Sequence, residues 1–219
     1  MIISVAGQKG GTGKSTVAIC TAVELMRRGH SVLLLDADVQ GTATTWRDIA
    51  VELGLPVPDL IRTLAVADLD ARTKAGAADH DLVIIDLPSD LKELTRAALV
   101  ISDVVLIPCG ASATEMWSLT ETVEVVQGAR SYNPALKALV VQTRVQRGTK
   151  AGKSLRADLA PWGLTVMFQQ VVQRVAYRDA VATGHGVTSF PGGGEAGREF
   201  QDFTDELLER TGADHDDDE

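Results

Sequence analysis

Short apolar, β-branched runs alternate along the chain with longer stretches in which apolar residues recur three and four positions apart. The runs lie at Ile2–Ala6, Val32–Leu35, Leu60–Leu64, Leu82–Ile85, Val104–Ile107, Ala138–Gln142 and Thr165–Phe168, and turn residues bound them. That pattern predicts strands. Helical spacing predicts helices over Lys14–Arg28, Thr114–Arg130, Gly152–Leu159, Arg174–Thr183 and Glu195–Arg210. Gly29 and Gly184 stand where a helix C-terminus takes glycine, and Pro161 follows the third helix. Strands alternating with helices imply right-handed βαβ units, hence an α/β fold with a doubly wound, mostly parallel sheet flanked by helices. Gly184–Gly194 reads as a glycine-rich turn. Residues 1–211 are expected to form one domain, with an acidic, disordered tail at 212–219.

Composition supports a sheet buried on both faces. Of 219 residues, 45% are hydrophobic but only 4% aromatic, so the core must be built from Val, Leu, Ile and Ala. Cys20 and Cys109 lie far apart with no second thiol or histidine at metal spacing, as expected of small buried hydrophobes in a reducing compartment. Ile2–Ala6 lacks a charged leader and a cleavage site, and no apolar run reaches the length of a membrane span. A cytoplasmic protein is expected. The histidines His30, His80, His185 and His215 show no pairing at catalytic or metal spacing, and packing is the expected role of Trp46, Trp117 and Trp162.

The net charge of −9 is unevenly placed. Residues 195–219 hold eleven acidic side chains against two arginines, so the rest of the chain is neutral overall. Within that rest, residues 144–178 carry Arg144, Arg147, Lys150, Lys153, Arg156, Arg174 and Arg178 against Asp158 alone. This basic stretch is the candidate for nonspecific contact with nucleic acid phosphates.

The chemistry concentrates at MIISVAGQKGGTGKST. A strand, a glycine-rich loop and a helix opening at Gly-Lys-Ser form the context of a phosphate-binding loop. Gly10, Gly11, Thr12 and Gly13 would turn successive amides toward phosphate oxygens, and the helix N-terminus at Lys14, Ser15 and Thr16 adds its positive dipole end. Lys14 is placed to reach the β and γ phosphates of ATP, and the Ser15 hydroxyl to ligate Mg²⁺. Two further strands end in aspartate, LLLDAD and LVIIDLP. Ligands of open α/β sheets sit beyond the carboxyl ends of the strands, which assigns Asp86 to Mg²⁺. If the second strand ends at Leu35, Asp36 sits near the metal while Asp38, on the loop, orients the attacking water.

The loop carries a second lysine, Lys9. KGGTGKST with DADVQG and IIDLP resembles the deviant Walker A ATPases of the ParA/MinD superfamily, over roughly residues 1–190, and most closely the small ParA-type partition and positioning ATPases. Gln8 before Lys9 favours that branch; Val39 replaces the proline usual in DxDPQG. The resemblance implies a homodimer that sandwiches two ATP molecules, with each Lys9 crossing to its partner's phosphates. It also implies DNA binding on the nucleoid as the ATP dimer, and release by a ParB-like or other cargo adaptor that stimulates hydrolysis. The stretch Gln173–Val187 is similar to the ParA segment that closes the nucleotide site, and Thr143, at the end of the sixth strand, is the candidate adenine contact. No helix-turn-helix precedes the first strand, as in the small forms.

Three alternatives have discriminating features. A dethiobiotin-synthetase-type enzyme shares the architecture but would not need Lys9 in trans. A MinD-like membrane ATPase would need a basic interfacial helix, whereas the polar face of the last helix is acidic, so no membrane partner is expected. An electron carrier like the nitrogenase iron protein would need paired cluster cysteines, which Cys20 and Cys109 do not provide.

Overall fold

A computed structural model describes residues 1–90, 92–110, 113–145, 155–156 and 159–212. The elements run β1 (Ile2–Val5), α1 (Lys14–Arg27), β2 (Val32–Asp36), α2 (Thr42–Glu52), β3 (Asp59–Arg62), α3 (Val66–Asp79), β4 (Leu82–Asp86) and α4 (Glu93–Ile101). They continue with β5 (Val104–Cys109), α5 (Ala113–Arg130), β6 (Lys137–Val145), β7 (Thr165–Val166), β8 (Val171–Val172), α6 (Val175–Ala182) and α7 (Gly194–Thr211). The sheet order is β3-β2-β4-β1-β5-β6-β7, and β8 pairs with β6 farther along. Every pairing is parallel.

Strands β2, β4 and β5 are buried at every position, and side-chain alternation sends their residues into two cores. On one face Ile3, Val5, Leu34, Ile84, Leu106 and Val141 pack with α1 and with Phe200, Phe203 and Leu207 of α7. On the other, Leu33, Leu35, Ile85, Val105, Ile107 and Val140 pack with Leu69, Ala98, Leu99, Val123 and Val126. Phe200 and Phe203, the apolar face of the last predicted helix, are fully buried.

Helices α2, α3 and α4 are additional to those expected. Only Ala43, Trp46 and Ala50 of α2 are buried, and only Leu69, Thr73 and Gly76 of α3, so small and polar residues make their inward stripes. An apolar periodicity search passes over such helices. β2 and β4 also run one residue farther than expected, so Asp36 and Asp86 end strands and face each other in register. The expected helix at Gly152–Leu159 is described only at residues 155, 156 and 159, which are helical. Arg147, Lys150, Lys153 and residues 213–219 of the acidic tail lie outside the described residues.

One correction concerns the surface. Trp162 is 55% exposed, offering its carbonyl rather than its ring to Gln127 and Arg130. The turn after α6 packs on α1 and α2: a Cβ on Gly184 would stand 2.6 Å from the Ala50 Cα, and one on Gly186 2.7 Å from the Val23 Cβ. Trp46 Nε1 donates to the His185 carbonyl at 3.1 Å, fixing the turn in place. Cys20 and Cys109 are both buried free thiols.

Candidate nucleotide-binding site

β1 lies between β4 and β5, so its loop emerges at the carboxyl edge beside the two strand-terminal aspartates; Val5 is in register with Asp86. Gly11 (φ 76°) and Gly13 (φ 94°) adopt left-handed conformations that a side chain would resist. Gly10 does not, and a Cβ there would meet Ser89 Oγ at an ordinary 3.7 Å. α1 begins directly after Gly13 without a side-chain cap and without an acidic residue in its first turn. The amides of Lys14, Ser15 and Thr16 therefore meet no competing side-chain acceptor, the condition for binding an anion at a helix N-terminus.

Lys14 is 5% exposed and turned inward. Its ammonium donates to the Lys9 carbonyl at 3.1 Å and to Ser89 Oγ at 2.8 Å. Burial lowers its pKa, while Asp86 and Asp38 pull it back up. The Lys9 ammonium makes no hydrogen bond or ion pair with a described residue, although its backbone carbonyl serves both Lys14 and the Thr12 hydroxyl. Gln8 donates to the Glu121 carboxylate of α5.

Asp86 is fully buried, and neither of its oxygens has a hydrogen-bond partner among the described residues. Burial, aided by the charges of Asp36 and Asp38, pushes its carboxyl up to about 7. The Ser15 hydroxyl and the Lys14 ammonium pull it down without giving either oxygen a hydrogen bond of normal geometry. An orphaned carboxylate beside a hydroxyl is a hard oxygen donor set that fits Mg²⁺, an ion that keeps several waters and takes few protein ligands.

The neighbouring Asp36 is differently engaged. Its Oδ2 accepts from the Thr44 amide at 2.8 Å and the Thr44 hydroxyl at 2.6 Å, and its Oδ1 from the Asp38 amide at 3.2 Å. It thus anchors the first turn of α2 from the end of β2. Asp38 accepts from the Gln40 amide at 2.9 Å in a local turn and remains close enough to act on Lys14 and Asp86. The expectation that β2 stops before Asp36 is wrong, yet all three aspartates gather at one strand edge because β2 and β4 are neighbours.

A cavity of about 470 Å³ adjoins the loop, between Thr16 and Val17 of α1, Thr143 of β6, and the wall made by Val171, Val172 and Tyr177. Its size and largely apolar lining suit a nucleoside. The segment expected to close the site does form this wall as far as Ala182; from Gly184 it turns away onto α1 and α2. Thr143 borders the cavity, but its hydroxyl donates to the Thr12 carbonyl at 2.8 Å, so its proton is spent on the loop. Ser89 was missed by sequence reasoning; its position three residues past Asp86, on the loop that faces β1's, is the signal that could have found it.

Three of the four described cations of the basic stretch have internal partners. Arg144 donates to the Gly11 carbonyl at 2.9 Å. Arg156 donates to the Met167 carbonyl at 3.2 Å and lies over the Phe168 ring, 4.4 Å from its centre. Arg174 grips Glu199 with two bonds of 2.7 and 2.8 Å and also reaches Glu195. Arg178 is 78% exposed with its neighbour Asp179 as partner, and Arg144 is exposed too although tied to Gly11.

The family described as the CobQ/CobB/MinD/ParA nucleotide binding domain matches residues 3–187. The chain belongs to that family. It is 32% identical over 210 residues to the maintenance of carboxysome distribution protein A of Halothiobacillus neapolitanus, covering 94% of each chain. It is 27% identical to the chromosome-partitioning ATPase Soj of Thermus thermophilus over 95% of each. In fold it is similar to a plasmid partition protein of Borrelia burgdorferi solved with AMPPNP, at a TM-score of 0.72 and 23% identity over 95% of this chain and 98% of that one. This member of the ParA/MinD superfamily thus has the P-loop ATPase fold, with partition and positioning ATPases as its relatives. Among its described residues no helix is long and apolar enough to cross a membrane.

Proposed function

We propose that the chain is an ATP-hydrolysing positioning protein that dimerises around Mg·ATP and moves a cargo through an adaptor. The observation that carries the reading is the contrast between the two loop lysines. Lys14 is buried and directed at the strand-end carboxylates, whereas Lys9 opens the same loop with an ammonium that no described residue engages. One cation serves the site of its own chain; the other is free to serve a second copy. A charge lent in trans makes pairing depend on the triphosphate, since like charges on facing loops repel without it, and can stabilise transition-state charge as an arginine finger does.

In the proposed site the amides of residues 10–16 and Lys14 hold the phosphates, Ser15 and Asp86 hold Mg²⁺, and Asp38 orients the attacking water. Asp36 acts mainly by fixing the α2 end of the loop that carries Asp38. The metal would supply charge neutralisation between the β and γ phosphates. Residues 1–211 are proposed to act as one domain.

The dimer is proposed to bind DNA without base readout, through Arg147, Lys150, Lys153 and Arg178; Arg144, Arg156 and Arg174 are withdrawn from that surface by their internal bonds. Doubling a modest basic patch by two-fold symmetry makes such binding dependent on ATP. The cargo, a plasmid, a chromosome or a protein assembly, is set by the adaptor. Light scattering tests the reading directly. With Mg·ATP and an Asp38→Ala chain that hydrolyses slowly, mass should double, and Lys9→Ala should hold it at one protomer while still binding ATP. A chain that remains monomeric under the first condition overturns the proposal. Stoichiometric consumption of a small carboxylate would favour the amide-forming enzyme instead.

A further inference from the structure

Arg144 holds a backbone conformation that arginine rarely takes. Its φ of 55° is the only left-handed value at a non-glycine residue among the described ones. It sits where the β6–β8 pairing shifts register between Thr143 and Val145, a bulge that re-aims the side chain between two paired residues. The guanidinium is aimed back across the sheet edge at the phosphate loop, where Nη1 donates to the Gly11 carbonyl at 2.9 Å. A Cβ built on Gly11 would stand 4.0 Å from that same nitrogen, so the head group lies against the loop backbone. One residue earlier, the Thr143 hydroxyl holds the next carbonyl, that of Thr12, at 2.8 Å.

We propose that Arg144 is a positioning residue of the phosphate loop, forming with Thr143 a two-point clamp on consecutive carbonyls. A loop cradles phosphate only if its amides point inward, and the peptide plane then sends its carbonyls outward. Gly11 and Gly13 make that orientation possible but also leave the loop free to abandon it, since glycine enters many other conformations at little cost. Bonds to the Gly11 and Thr12 carbonyls from one rigid strand remove that freedom. The bulge then has a function: without it, Arg144 could not reach the loop while Thr143 and Val145 stay paired to β8. The cation assigned by charge to a DNA surface acts on the nucleotide site, and it acts through the backbone rather than by touching phosphate. This inference rests on reading the loop as the phosphate cradle.

Calorimetric titration of Mg·ADP and Mg·ATP into the wild-type chain, Arg144→Gly and Arg144→Lys tests it, together with amide hydrogen exchange of the Mg·ADP-saturated forms, in which the loop amides are bonded to phosphate. Glycine tolerates the left-handed angle, so Arg144→Gly should keep or raise the melting temperature. It should weaken ADP and ATP equally, about fivefold, as expected for loss of one charged donor at a solvent-accessible bond. Exchange should accelerate at Gly11, Thr12 and Gly13 and nowhere else, and Arg144→Lys should fall between the two. A much larger loss for ATP than for ADP would mean a direct γ-phosphate contact and overturn the clamp. So would unchanged nucleotide affinity, unchanged exchange at the loop, faster exchange throughout the chain, or a loss confined to DNA binding at saturating nucleotide. Failure of the wild-type chain to bind either nucleotide would sink the phosphate-cradle reading and the clamp with it, whereas binding by wild type with an unaffected Arg144→Gly sinks the clamp alone.

Discussion

The carboxyl edge beside β1 and the strip from β6 to α6 both looked like charge clusters, and they use charge in opposite ways. At the first edge a carboxylate and an ammonium are buried together with incomplete partners: among the described residues Asp86 has no hydrogen-bond partner, and Lys14 is held by a hydroxyl and a carbonyl alone. Charges left short of partners in a dry place are costly unless a ligand completes them. Along the second strip, three of the four described arginines are held by carbonyls, an aromatic ring or glutamates of α7, although Arg156 Nε itself has no partner. A run of cations in sequence is therefore no measure of free cations on a surface. What sets Asp86 apart is that its unpartnered group is a carboxylate at a strand end beside Lys14.

Five variants press on that contrast. Lys14→Ala should abolish nucleotide binding, a loss of roughly a hundredfold or more in affinity, read by titration with a fluorescent ADP; retained affinity would show that the buried ammonium is structural. Asp38→Ala should cut phosphate release on the order of a hundredfold while ATP stays bound, and normal turnover would place the water-orienting role elsewhere.

Asp86→Asn probes the orphaned carboxylate without nucleotide. With its folded value raised from 3.8 to about 7, the protonated form is favoured by folding. The stabilising contribution is thus full below the unfolded value and is lost as pH rises through about 7. The nucleotide-free wild type should therefore weaken across that window, and Asp86→Asn should be more stable at pH 8 by ~2 kcal/mol while binding Mg·ADP more weakly. Lower stability of the variant at pH 8 would mean that the carboxylate is satisfied after all. The smallest effect distinguishes cations within the strip. Lys150→Ala with Lys153→Ala should reduce DNA affinity several-fold and flatten its logarithmic salt dependence by about 2. Arg174→Ala should leave that slope alone and instead lower the melting temperature by a few degrees, roughly. The reverse pattern would restore Arg174 to the DNA surface.

The parallel sheet was legible because β1, β2, β4, β5 and the Ala138–Val141 part of β6 are mostly apolar runs with no polar alternation, the mark of burial on both faces. The phosphate loop was legible because its chemistry is local: turn, amides, lysine and hydroxyl come from one continuous stretch, Gly10–Thr16. α2 and α3 were not, since residues such as Thr73 and Gly76 face inward where an apolar stripe would be sought. Ser89 escaped because its one local signal, a place three residues past Asp86, names no partner; the closeness of the β1 and β4 loops gives it Lys14.

By itself the sequence determined the sheet, the glycine-rich loop between β1 and α1 and the placing of Lys9 and Lys14 on it, because near neighbours on the chain settle those features. Only the tertiary structure decided where the other charges went. It left Asp86 without a hydrogen bond of normal geometry among the described residues, turned Asp36 toward Thr44, and sent Arg144 to the Gly11 carbonyl and Arg174 to Glu199. A side chain's partner depends on which segments the fold brings within a few ångströms, and for these residues the partners come from other elements, as far as 133 positions away along the chain.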